Sequence, residues 1–363
     1  MVPAVVVVWG KRMEISDKKN LANIFSDIIE FDVPLSKLSQ WKVGGVADVI
    51  IRPTSKAELI AVQQWLHANQ LPSLIIGNTT NLLFSDEGLH TAVIQMASNF
   101  SNVKIEDAKI IAESGVWVPS LATMAMRANL SGLEHTCGIP GTLGGLIVMN
   151  GGSQRQSIGR VVSYVETVDY EGHIHHYSNE ECRFAYRHSI FQHRKEVIIE
   201  VGLVLDKETD KSDIQKKMIE ILSARRKKFP RKQPSCGSVF VSNPDMYDSY
   251  GPPGQIIESL GFKGRCRGDA QVSHRHANFI VNNGQATSED ILFLINIIKK
   301  SVYDKTGYQM AVEAKLITPY GEIISMNQFL IFLIGLEKIY FKCSERLNLR
   351  LKSFKRYFLY RLK

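Results

Sequence analysis

The stretch on which the fold turns is GLEHTCGIPGTLGGLIVMNGG, residues 132–152. Five glycines and one proline fall within residues 132–145. Each glycine costs about 0.5–1 kcal/mol of backbone entropy relative to alanine, and such a run argues against a regular helix or a central strand. Two readings stand: tight turns between strands, or a shaped loop whose backbone lies close against a flat ligand.

Working outward, the flanks alternate strand and helix. VADVIIRP (46–53) alternates like a strand, and Ser55 with Glu58 forms a capping pair ahead of a helix running to about Gln70. LPSLIIG (71–77) reads as a short buried strand ending in a turn, which makes a small α/β unit. Residues 92–118 read as strands, and Ser120 as the cap of a helix through Asn129. Downstream, residues 162–177 form a hairpin around Glu171-Gly172, and EVIIEVGLVL (196–205) is a strand. From Asp210 the pattern changes to a long helix, which sets a domain boundary near residue 208. Helices at 253–260 and 289–305 and strands at 278–282 and 311–317 follow.

Five segments carry chemistry. IIGNTTNLLFSD (75–86) ends a strand in small amide and hydroxyl residues; its backbone suits an anion, though a plain strand–turn–strand explains it as well. The second is the glycine-rich loop itself. In RFAYRHSIF (183–191), Arg187 lies among aromatic and apolar neighbours, so its fork pairs with a ligand carboxylate or with an internal acid. Ser238 in PSCGSVFVSNP (234–244) is no GxSxG elbow, and the bland reading is a turn serine. Glu313 interrupts the alternating strand MAVEAKLI (310–317), so it is either solvent-facing or functional.

Composition narrows the class. The chain has 363 residues and a net charge of +8, but residues 338–363 hold nine basic residues and one acidic, which leaves the body formally neutral. That argues against a nucleic-acid partner. The five scattered cysteines lack CxxC spacing and fit a reducing cytoplasm. His173, His175 and His176 read as solvated residues of a hairpin strand, and His274 and His276 lack a third ligand, so no metal is expected. The N-terminal run MVPAVVVVWGKR places charge after the apolar residues, unlike a secretory signal, and reads as an extra edge strand or a loose extension. FLIFLI (329–334) is too short to span a bilayer. Beyond it, Leu347, Leu351, Phe354, Phe358 and Leu362 recur at helical spacing among basic residues, a pattern that suits an anionic membrane surface, packing on the body, or a disordered end.

Taken in order, these segments resemble the UDP-N-acetylenolpyruvoylglucosamine reductase family, from about Leu38 to Glu322. SQWKVGGVAD (39–48) is similar to its NTFxxGG region, and GFKGRCRGDAQVSHRHANFIVN (261–282) and AVEAKLITPYGE (311–322) extend the match. The compact link before the serine segment resembles the shorter, second type of this reductase. The resemblance implies an α+β fold. An N-terminal extension (1–33) precedes an FAD-binding PCMH-type domain of the vanillyl-alcohol-oxidase kind, made of two α/β subdomains (34–208). A smaller α/β substrate-binding domain (209–325) and a basic amphipathic tail (326–363) follow. It also implies the cofactors FAD and NADPH, a monomer, and a two-step reduction. Hydride passes from NADPH to FAD and then to the enolpyruvyl β-carbon of UDP-N-acetylglucosamine enolpyruvate.

Carried over by position, Ser238 matches the proton donor, Arg187 the arginine on the substrate carboxylate, and Glu313 the glutamate beside it. Tyr186, Lys228 and Asn243 match substrate contacts. The FAD positions are Gly77, Asn78, Thr79, Thr80, Asn81, Gly138, Ile139, Pro140, Gly141, Thr142, Gly144, Gly145 and Asn150. This chain departs from the family at Thr79, where G-x-G-S-N has glycine, and at Asp269, also usually glycine. A β-branched residue resists positive φ, so the turn at Thr79 is the point of tension. Two alternatives remain: another FAD-dependent oxidoreductase of the same fold, or a catalytically inactive flavin-fold protein.

Overall fold

The computed structural model describes residues 13–208, 210–242 and 246–327. The N-terminal apolar run, Asn243, Cys343 and the tail from residue 328 lie outside the described residues, and so do the expectations attached to them.

Two sheets build the first two thirds of the chain. The first has the order Ile29–Pro34, Val46–Ile51, Leu89–Gln95, Ser73–Ile76. Its first pair is antiparallel and the others parallel. Parallel pairing needs a crossover, and the helix Lys56–Ala68 supplies it before Ser73–Ile76. Ser55 caps that helix by accepting from the Glu58 amide at 3.2 Å, while the Glu58 carboxylate reaches Thr54 rather than Ser55. Residues 29–33, read from sequence as part of an extension, are a sheet strand, and Leu21 of the preceding helix is fully buried beside Val49 and Ile51.

The second sheet is antiparallel, in the order Ile174–Ser178, Val162–Asp169, Glu196–Val204, Lys109–Glu113, Val103–Glu106. The helix Val118–Arg127 packs on it; Ser120 sits inside its first turn, because Pro119 occupies a position that needs no amide partner. The helix Lys211–Lys228 is capped by the Asp210 carboxylate, which accepts from Ser212 at 2.9 Å. The sequence placed this helix in the C-terminal domain, yet its buried residues Ile214 and Met218 join the core of the second sheet.

A separate core holds the rest. The helix Ser288–Thr306 buries Ile291, Leu294, Ile295, Ile298 and Val302 there, against the small sheet Cys266–Arg267, Ala270–Val272, Ile280–Asn282. Trp41 also belongs to this core; its indole donates to Ile280 O at 2.7 Å, across 239 residues of sequence. One further pairing positions the site. Lys315–Ile317 runs parallel to Leu82–Phe84, with Lys315 opposite Leu82. The late strand, with Glu313 two residues before it, is thereby laid beside the turn at 77–81.

Candidate active site

An open cleft of about 2740 Å³ runs between these units. The turn 77–81, the glycine-rich loop 138–145, Tyr186, Arg187, Lys228, Ser238 and Glu313 all line it. Segments separated by more than 200 residues thus meet in one place.

The first wall is the turn after the strand Ser73–Ile76. Thr79 takes φ +54°, the left-handed conformation a glycine would adopt freely. Its side chain is buried, and its hydroxyl donates to Leu38 O at 2.8 Å, which holds the strained residue in place. The turn the sequence flagged as its point of tension is therefore formed with threonine. The backbone amides of Asn78, Thr79, Thr80 and Asn81 have no acceptor among the described residues. Amides of this kind at a left-handed residue form a nest suited to an anion. The Asn81 side chain turns away to donate to Glu313 O at 3.2 Å, and Asn81 O accepts from the Lys315 amide at 3.0 Å.

The second wall is the glycine-rich loop. Within it lies a short helix, Leu143–Val148, which the glycine count had argued against. Thr142 caps this helix, its hydroxyl accepting from the Gly145 amide at 3.4 Å, and the Gly144 amide donates to Ser114 O at 2.7 Å. Cap and tertiary bonds together outweigh the entropy cost of two glycines in one turn. The walls touch at backbone range: a Cβ on Gly77 would lie 2.3 Å from Thr142 Oγ1, and one on Gly138 would lie 2.5 Å from Arg225 Cδ. Asn150 does not line the cleft. Its amide donates to Ala185 O at 2.8 Å and accepts from Gly159 N at 3.0 Å, so it braces the loop from behind instead of facing a ligand.

The third wall carries the charges. Arg187 Nε lies 3.0 Å from Glu313 Oε1, but its N–H bond is not aimed at that oxygen, so the contact is an ion pair without a well-formed hydrogen bond. Neither Nη has a hydrogen-bond partner among the described residues, which leaves the fork free. The guanidinium carbon sits 5.2 Å from the Tyr186 ring centre. Burial pushes the Glu313 carboxyl above its usual value, and the Arg187 charge opposes this only in part. Ser238 follows Gly237, whose φ is +86°. The next residue, Val239, is pinned on both sides: its amide donates to Asn278 O at 2.9 Å and its carbonyl accepts from Glu313 N at 2.8 Å. Ser238 and Glu313 are therefore neighbours across a backbone pairing.

Lys315 is a cleft residue that the sequence reading passed over. It stands two places after Glu313, at the start of the strand Lys315–Ile317, and burial lowers its ammonium's affinity for a proton. The period of two along a strand was the available signal. Lys228 stands beside Phe229, which stacks on Phe279 with ring centres 5.0 Å apart, next to His276. Burial, helped by the nearby Lys228 charge, lowers the His276 pKa to about 4, so the ring is neutral near pH 7. Among the described residues no cluster of His, Cys, Asp and Glu could hold a metal ion.

Residues 229–317 match the family model of the UDP-N-acetylenolpyruvoylglucosamine reductase C-terminal domain, and residues 47–178 match that of an FAD binding domain. Over 312 residues the chain is 40% identical to UDP-N-acetylenolpyruvoylglucosamine reductase 1 of Corynebacterium glutamicum, covering 86% of this chain and 93% of that one. This chain belongs to the UDP-N-acetylenolpyruvoylglucosamine reductase family. The reductase of Heliobacterium modesticaldum is 38% identical over 288 residues, covering 79% and 90% of the two chains. The crystal structure of the reductase from Thermus caldophilus superposes with a TM-score of 0.65 at 31% identity, covering 79% of this chain and 97% of that one. The α+β architecture with an FAD-binding domain is thus the reductase fold.

Proposed function

We propose that this chain is the NADPH-dependent flavoenzyme that reduces UDP-N-acetylglucosamine enolpyruvate to UDP-N-acetylmuramate for peptidoglycan synthesis. The observation that carries the reading is the Arg187–Glu313 ion pair. It stands with Ser238 at one cleft wall, while the unpaired amides of 78–81 stand at another.

The residues present fit FAD. The nest at 78–81 suits its pyrophosphate, and the glycines of 138–145 let backbone approach a flat ring system. Bound there, FAD would supply the hydride chemistry that connects NADPH to the substrate. The protein's own residues do the rest. Arg187 holds the substrate carboxylate with its free fork and stabilises the charge that builds there as the enol is reduced. Glu313 holds the Nε side of Arg187, so the fork faces the substrate. Ser238 gives its proton to the α-carbon; a serine is a weak acid, and the positive charge of the same cleft, from Arg187 and Lys315, favours the anion left behind. Tyr186, Lys228 and Asn243 contact the remainder of the substrate, Lys228 supplying positive charge for the diphosphate.

We further assign the flavin-binding body to residues up to the helix Lys211–Lys228 and the substrate domain to the segment from Phe229. The enzyme works as a cytoplasmic monomer, and its basic tail gives it a peripheral contact with anionic membrane. Among the described residues no helix is long and apolar enough to cross a bilayer. The deciding experiment is anaerobic turnover: purified protein carrying flavin absorbance should oxidise NADPH only when UDP-N-acetylglucosamine enolpyruvate is supplied, with UDP-N-acetylmuramate as product. Flavin binding without that product would leave only a related oxidoreductase activity, and a colourless protein would overturn the reading.

A further inference from the structure

Arg187 occupies a costly place. It sits in a two-residue turn closed by reciprocal bonds, Ala185 N to His188 O at 3.1 Å and His188 N to Ala185 O at 3.0 Å, and its own φ is +55°. A long side chain in the left-handed region keeps that conformation only where its surroundings hold it.

The restraint comes from Gln192. Its Nε2 donates to Arg187 O at 2.9 Å and to Val148 O at 3.1 Å. Both of these acceptors are carbonyl oxygens, so the amide nitrogen must face them, with Met149 Sδ a weaker third acceptor at 3.8 Å. Val148 ends the helix Leu143–Val148 of the glycine-rich loop, where carbonyls lack helical partners. The buried Ser189 hydroxyl donates to the same oxygen at 2.8 Å. Asn150 ties the far side of the turn through Ala185 O. Of these groups only Gln192 touches the peptide of Arg187 itself.

We propose that Gln192 is a positioning residue for the reduction. It locks the strained turn of Arg187 onto the end of the glycine-loop helix, so that the carboxylate-binding fork and the flavin-facing loop keep one fixed relation. The proposal rests on the assignment of Arg187 to the substrate carboxylate. A shift of the fork by about 1 Å is enough to cost on the order of a hundredfold in rate.

The test uses the full-length, flavin-loaded enzyme and follows the two half-reactions by stopped flow. Gln192→Met keeps the length of the side chain and removes both donors. Its reduction by NADPH should stay within about twofold of wild type, while the enolpyruvyl half-reaction falls about ten- to a hundredfold. Gln192→Lys, which restores a donor, should recover most of that loss. Placed in an Arg187→Ala background, Gln192→Met should add less than about a twofold further loss, because its effect travels through Arg187. An unchanged second half-reaction overturns the proposal. So does an equal loss in both halves, or a full additional loss without Arg187. If the Met variant holds no flavin, Gln192→Asn, whose shorter arm reaches one carbonyl at most, is judged by the same outcomes. Wild-type enzyme that fails to reduce the enolpyruvyl substrate brings down the proposed function as well; an active wild type with an indifferent Gln192→Met refutes only the role of Gln192.

Discussion

Replacing Thr79 with glycine tests whether the cofactor turn tolerates its unusual residue for the reason the structure gives. Thr79 lies at φ +54°, buried, with its hydroxyl on Leu38 O at 2.8 Å. Glycine removes the left-handed strain, worth about 1–2 kcal/mol for an L-residue. It also gives up the hydroxyl bond, about 0.5–1.5 kcal/mol net, and adds about 0.5–1 kcal/mol of unfolded-state entropy. Relief and cost nearly cancel, so Thr79→Gly should change unfolding free energy by no more than about 1 kcal/mol. Thr79→Ala keeps the strain of a Cβ at positive φ unchanged and loses the bond, so it should cost about 0.5–1.5 kcal/mol. Thr79→Ser keeps the hydroxyl and should match wild type. Urea unfolding of the apoprotein reads all three, and flavin fluorescence titration reads the turn, which should bind FAD as wild type does in the glycine variant. A glycine variant less stable than the alanine variant, or one with markedly weaker FAD binding, would refute the compensation and with it the assignment of this turn to the pyrophosphate.

Arg187→Lys should lower kcat as well as raise KM, because an ammonium cannot copy a two-pronged grip on a carboxylate that gains charge in the transition state; a wild-type kcat counts against the role. Ser238→Ala should leave flavin reduction by NADPH nearly intact and slow the second half-reaction severely, and equal loss in both halves would reject the proton-donor assignment. Glu313→Gln should gain stability over wild type as pH rises above 4.5, the carboxyl's unperturbed value. The folded carboxyl binds its proton more tightly than the unfolded one, so ionisation works against the fold, and the difference between the two proteins should vanish below that pH; a constant difference across the range would show the carboxyl is not destabilised by burial. Full-length protein should sediment with anionic liposomes at low salt and dissociate as salt rises, while a chain ending at Asn327, which keeps the buried Met326 and the Asn327 bond to the Val312 amide, stays unbound, active and yellow. Indifference to liposomes would end the membrane reading, and loss of flavin on truncation would make the tail part of the fold.

What was legible in the sequence is what short-range chemistry writes. Ser55 and Asp210 each stand one residue before their helices, as a capping oxygen must, whereas the cap Thr287, one residue before a helix read from 289, went unread. The strand Glu196–Val204 announces itself as a short, nearly continuous apolar run. The site segments were legible for a different reason: unusual residues, glycine in runs or a carboxylate inside an apolar strand, mark places where burial alone does not explain the choice. What stayed hidden depends on partners far along the chain. Nothing near Thr79 shows that Leu38 O will hold it, and nothing near Gly144 shows that Ser114 O will steady a helix start there. Asn150 came as a cofactor position from the family resemblance; only the fold shows that Ala185 and Gly159 take up its amide.

The placement of the chemistry follows from the least legible feature, the parallel pairing of Lys315–Ile317 with Leu82–Phe84. Each strand alone is three residues long and would be ambiguous by pattern. Paired, they bring Glu313 and Lys315 beside the turn at Asn81, whose side chain and carbonyl fasten both residues by their backbones. The Glu313 amide then fastens Val239, and with it Ser238. One pairing therefore sets the position of the anion nest, the ion pair and the serine together. It follows that a substitution at Asn81, although it lies in the nest, should disturb Arg187 and Ser238 chemistry as much as cofactor affinity.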